Sequence, residues 1–146
     1  MHIIEAIIAK APVKNEIAKD YDLTYFLHAG FAIIALNADH SAFWAEKLEL
    51  ENETTAKNGL DSPITHFFAK KLGLNKYAIV LTAYVGGIGT QYAAVYENGK
   101  PMMPETEGGI NAALRLIGVN ATGDDDEFDT ISLGRYRSFD AYYEKY

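Results

Sequence analysis

Apolar and polar positions alternate along this chain with more than one period. From His2 to Ala9 the chain is almost continuously apolar and rich in isoleucine, which predicts a short buried strand. Val13, Ile17 and Tyr21 then recur at i, i+4 and i+8, with Pro12 suited to a first helical position. Leu23 to Leu36 reads as extended structure bent at His28-Ala29-Gly30. Asn37 or Asp39 is placed to cap a following helix whose Phe43, Trp44 and Leu48 share one side. Residues 49–61, with Asn58-Gly59, read as a loop or a frayed helix end. Ser62-Pro63 opens another helix with Ile64, Phe67, Phe68 and Leu72 inward, and Gly73 suits its left-handed end.

Two strand-like runs follow, Tyr77–Val85 and Tyr92–Tyr96, around Gly86-Gly87-Ile88-Gly89-Thr90-Gln91. Asn98-Gly99 is the strongest hairpin signal, because a type I′ turn needs positive φ at both central residues. It pairs Gln91–Tyr96 with Lys100–Met103. Ile110, Ala113, Leu114 and Ile117 define an amphipathic helix over Thr106–Ile117, closed by Gly118. Tyr136, Phe139, Tyr143 and Tyr146 return at near-helical spacing in the tail, as for a helix docked on the core. Strands and helices mix without strict alternation, so the expectation is a single α+β domain over residues 1–146, a mostly antiparallel sheet with helices packed on one face.

With 146 residues and 49% apolar composition, the chain can bury a real core and disorder is excluded. No cysteine is present, so disulfides and cysteine-ligated zinc are excluded too. Glu5 sits where a signal peptide would be basic, and no apolar run reaches the ~18 residues of a membrane span. A cytoplasmic protein without membrane attachment is expected. The net charge of −7 is uneven: residues 1–104 carry −2 and residues 105–146 carry −5. Such a surface repels nucleic-acid phosphates and steers a basic protein toward Asp124, Asp125, Asp126, Glu127 and Asp129. A homodimer is equally compatible with composition.

Candidate chemistry is sparse. The glycine hexapeptide fits neither G-x-G-x-x-G nor G-x-x-x-x-G-K-[ST], and it precedes a strand, where no helix dipole waits for a phosphate. Gly86, Gly87 and Gly89 therefore read as structural glycines. His2, His28, His40 and His66 lack the i, i+4 spacing of a helical metal site, and the acidic run lacks the EF-hand pattern. None of Ser41, Ser62, Ser132 and Ser138 stands in a nucleophile elbow. No catalytic residue, metal or cofactor is assigned. Arg135 and Arg137 are expected to pair with the preceding acids.

The order of motifs carries more. An Ile-rich first strand, Gly-Gly-x-Gly-x-Gln91, Asn98-Gly99, Ile110-Asn111-x-Ala-Leu-Arg115, Asp126-Glu127-Phe128-Asp129 and Leu133-Gly134-x-x-Arg137 follow one another. This resembles a family of small, largely uncharacterised bacterial proteins, some of which accompany polymorphic-toxin loci as immunity-type partners. The resemblance spans most of the chain, most closely residues 77–137, and brings no assigned chemistry. It implies a toxin-neutralising, protein-binding role and points to Gln91, Asn111, Arg115, the acids at 124–129 and Arg137 as one polar surface. The alternative is a small hydrolase or nucleotide-handling enzyme built on Gly86–Gln91 and the acids at 126–129.

Overall fold

A computed structural model describes residues 2–50 and 60–146. Its frame is a six-stranded, wholly antiparallel sheet, in the order β2-β3-β1-β4-β5-β6. The strands are β1 (His2–Lys10), β2 (Tyr25–His28), β3 (Phe31–Leu36), β4 (Lys76–Val85), β5 (Ile88–Glu97) and β6 (Lys100–Glu107). The helices are α1 (Asn15–Asp20), α2 (Ala38–Lys47), α3 (Pro63–Lys71), α4 (Ile110–Leu116) and α5 (Glu127–Thr130).

The α+β class and the antiparallel sheet stand as expected, but helices cover both faces of the sheet. The cause is written in β1, whose run is apolar at consecutive positions. Ile4, Ala6 and Ile8 point to one face, packing with Ile110, Leu114, Ile131, Leu133 and Phe139. Ile7 and Ala9 point to the other, packing with Ala18, Ala45, Ile64, Phe68 and Leu72. A strand apolar on both sides must be covered on both sides, since either open face would leave isoleucines in water. α4, α5 and the tail cover the first face; α1, α2 and α3 cover the second.

Several boundaries differ from expectation for local reasons. α1 begins at Asn15 with Lys14 at its cap, so Pro12 and Val13 precede it. Of the α2 residues expected inward, Trp44 and Leu48 pack on the core, whereas Phe43 is 45% exposed; His40 and Ala45 are the buried ones. The expected helix over Thr106–Ile117 begins only at Ile110, because Thr106 and Glu107 pair in β6. Gly108, at φ +70, and Gly109, where a Cβ would press on Met103 and Thr106, separate strand from helix. β6 also pairs further than expected, from Glu97↔Lys100 to Tyr92↔Glu107, with bulges on the way. The expected loop at 49–61 lies mostly outside the described residues, at 51–59.

Other signals held. Asn37 caps α2, its Oδ1 accepting from the N–H groups of Asp39 (2.9 Å) and His40 (3.0 Å). Asn98-Gly99 forms the β5–β6 turn with φ of +51 and +78, and Gly73 closes α3 at φ +81. The tail docks as expected, though as two 3₁₀ turns, Leu133–Arg135 and Asp140–Tyr143. Its anchor is Tyr143: the buried phenol donates to the Ala35 carbonyl at 2.6 Å and accepts from the Thr24 N–H at 3.0 Å.

Candidate functional site

The sequence-marked residues gather around two elements, the β4–β5 hairpin and α5. The hexapeptide Gly86–Gln91 is not an open loop. Val85 pairs directly with Ile88, so Gly86 and Gly87 alone make a two-residue turn, at φ +61 and +80. Gly89, Thr90 and Gln91 already belong to β5. Gly89 has ordinary φ, yet a Cβ there would run into the Tyr84 ring and the Ala83 carbonyl oxygen. Its glycine therefore admits the cross-strand tyrosine, and the segment offers no cradle of N–H groups.

The short helix α5 is assembled by the motif residues themselves. Asp126 caps it, Oδ1 accepting from the Asp129 N–H at 2.9 Å. That bond, with the Asn111 side chain, holds the Asp126 carboxyl below its ordinary pKa. Asn111 bridges α4 to α5 twice, donating Nδ2 to Asp126 (3.1 Å) and accepting the Phe128 N–H (3.0 Å). Glu127, 7% exposed, is met by the Arg115 guanidinium at 3.0 Å. Four of the predicted binding residues thus fasten α5 to α4. Arg115 pairs with Glu127, whereas Arg135 and Arg137 make no ion pair among the described residues.

What remains for the surface lies beside them. Asp124, Asp125 and Asp129 are exposed, and the Asp126 charge raises the Asp129 carboxyl pKa. Gln91 and Arg137 take no part in the bonds that join α4 to α5. They line instead a shallow cleft of about 410 Å³ with His2, Tyr84, Phe128 and Gly134. His2 stands between Tyr84 and Phe128, with ring centroids at 6.2 and 6.4 Å, and bonds Thr82 at 3.1 Å. On the other face of the sheet the hairpin end is bare: Ile88 is 83% exposed and Val85 55%, with Ile3 of β1 at 41%.

A second cluster carries no sequence signature. Tyr77 and Tyr96 are cross-strand partners on β4 and β5, their rings nearly parallel at 21°. His66 of α3 stands edge-on to Tyr96 at 4.4 Å. Its Nδ1 accepts from the Tyr77 hydroxyl at 2.5 Å and its Nε2–H donates to Asp61 at 2.7 Å. Burial pushes both phenols up to about 12, with the neighbouring Tyr96 phenol adding to it at Tyr77 and the Asp61 charge at Tyr96. These side chains line a cleft of about 650 Å³ with Lys70, Asn75, Asn98 and Pro101. Spacing in sequence could not reveal them, since strand pairing alone brings 77 to 96.

Among the described residues, no set of three or more His, Cys, Asp or Glu is placed to hold a metal. No helix among them is long and apolar enough to cross a membrane. No protein-family model, curated protein or solved structure matches the chain.

Proposed function

We propose that the chain is a cytoplasmic, non-enzymatic binder of a basic protein, acting as an immunity-type partner that occludes a toxin. The observation that carries this reading is Ile88, 83% exposed at the end of the paired β4–β5 hairpin. Large apolar side chains held in water by a rigid turn have no folding role at that point. Together with Val85 and Ile3, which share its sheet face, Ile88 makes an apolar centre of the kind that protein partners cover. Asp124, Asp125 and Asp129 are exposed around α5, on the other face of the sheet, where charge accelerates encounter with a basic surface. A nuclease-type toxin presents such a surface. Asn111, Arg115, Asp126 and Glu127 serve this site by holding α5 in place.

The test is co-purification from the native host with the wild-type chain and with Ile88→Glu. A basic protein retained by the first and lost with the second supports the reading. A partner retained equally by both overturns the placement at the hairpin. Hydrolysis of ester, phosphoester or nucleotide substrates that disappears with Gln91→Ala would favour an enzyme instead.

A further inference from the structure

We infer that the cleft beside His66 is a separate small-molecule site, for a planar ring carrying an anionic group, of the size and chemistry of a nucleoside monophosphate. It lies on the opposite sheet face from the Gln91–Arg137 cleft and at the other end of β4 and β5.

The cleft holds three kinds of group. The first is an aromatic wall fixed in orientation. Tyr96 lies beside Tyr77 and is met edge-on by His66, and His66 is fastened at both nitrogens, to Tyr77 and to Asp61. A wall that does not reorganise costs little entropy when a ring stacks on it. The second is a pair of carboxamides, Asn75 and Asn98, with no side-chain bond among the described residues. Their backbones are joined, the Asn98 N–H donating to the Asn75 carbonyl at 2.7 Å, and Asn98 is further fixed in its turn at φ +51. A carboxamide offers one donor edge and one acceptor, matching the amide-type edge of a nucleobase. The third is Lys70, exposed and without an ion pair among the described residues, on the last turn of α3 at the same cleft.

These groups divide the work by chemistry. Tyr96 takes the ring face, the two asparagines take its edge, and Lys70 takes the anionic group at the mouth. The volume, about 650 Å³, suits a ligand of that size. Asp61 and His66 do not act on the ligand directly, because each holds the other and His66 holds Tyr77. They are positioning residues, and no bond-making step follows from them. The phenols remain protonated at neutral pH, with pKa values pushed up to about 12. The stacking phenols are therefore neutral, and the Asp61 carboxylate that also lines the cleft is bonded to His66.

The probes are AMP, GMP, CMP and UMP, with adenosine and ribose 5-phosphate as partial ligands, measured by titration calorimetry and amide chemical-shift mapping. At least one monophosphate should bind and shift the amides of residues 73–77 and 96–99. Tyr96→Phe keeps the ring and should retain affinity within about threefold; Tyr96→Ala should weaken it about tenfold or more, by loss of stacking. Lys70→Ala and Asn75→Ala leave the core untouched. The first should weaken the monophosphate severalfold and leave adenosine unchanged. No shift with any of the four monophosphates at millimolar concentration overturns the proposal. So does ribose 5-phosphate binding as tightly as the nucleotide, since the ring would then contribute nothing. Because Ile88→Glu lies at the other end of the sheet, nucleotide binding should survive it. Failure here leaves the protein-binding reading standing, and the converse holds.

Discussion

At the hairpin and α5, nearly every distinctive polar residue is used up inside the molecule; at the His66 cleft, part of the polar set is left over. Asn111, Arg115, Asp126 and Glu127 close on one another to hold one turn of helix against α4. The exposed remainder is apolar on the hairpin, Val85 and Ile88, and acidic around α5, Asp124, Asp125 and Asp129. Around His66 the network of Asp61, Tyr77 and Tyr96 is likewise internal, but Lys70, Asn75 and Asn98 stand at the same cleft with no side-chain partner among the described residues. The first region suits a protein surface, where apolar contact carries affinity and charge carries encounter. The second suits a small ligand, where a few directed polar groups surround a ring. Both are built on β4 and β5, from Tyr77 at one end to Tyr84 at the other, roughly 23 Å of strand.

The sharpest test of the hairpin is Gly89→Ala. The Cβ would collide with the Ala83 carbonyl and the Tyr84 ring, so strand pairing must give way. A loss of about 3 kcal/mol in urea-monitored stability is expected, the upper range for overpacking. Gly87→Ala probes φ +80 in open space and should cost only about 1 kcal/mol. Equal effects would mean that backbone conformation, not close approach, selects these glycines.

Next in size is Arg115→Ala, which strands the Glu127 carboxylate at 7% exposure. Loss of about 2 kcal/mol is expected, with most of it recovered in Arg115→Ala/Glu127→Gln, where no buried charge remains. A double variant as unstable as the single one would show that the pair does not hold α5.

A pH effect of similar size should come from Glu5, on the central strand. Burial pushes its carboxyl up to about 7, from an ordinary value of 4.5. The folded chain then binds the proton more tightly than the unfolded chain, so stability falls as pH rises between about 4.5 and 7. Glu5→Gln should flatten that fall and raise stability at pH 8 by about 2 kcal/mol. An unchanged pH profile would mean that Glu5 is solvated.

The smallest effect concerns encounter with a partner. Asp124→Asn, Asp125→Asn and Asp129→Asn together should slow association severalfold and weaken its salt dependence, with little change in dissociation or thermal midpoint. Asp126 is kept, because its carboxylate caps α5. Kinetics indifferent to salt and to the triple substitution would remove the steering role.

The sequence by itself determined the local events. Asn37 caps a helix, Asn98-Gly99 turns a hairpin and Gly73 ends α3, because each depends on a residue's own side chain or on its freedom at positive φ. It also determined most of the strands and longer helices, since the periods of apolar residues follow from strand and helix geometry. The short helix α5 was not legible, and the tail's two 3₁₀ turns read as a helix. It did not show that both sheet faces are covered. The signal lies in β1, whose consecutive isoleucines need two cores, but a buried apolar run reads the same whatever covers it. The motif residues were legible as a group, and their use was not: whether Arg115 meets a partner or Glu127 depends on where α5 lies. The His66 cleft was out of reach altogether. Tyr77 and Tyr96 become neighbours only through the register of β4 on β5, and His66 joins them only when α3 packs on that face. Long-range pairing is decided by burying the whole apolar surface at once, and no short stretch of sequence contains that choice.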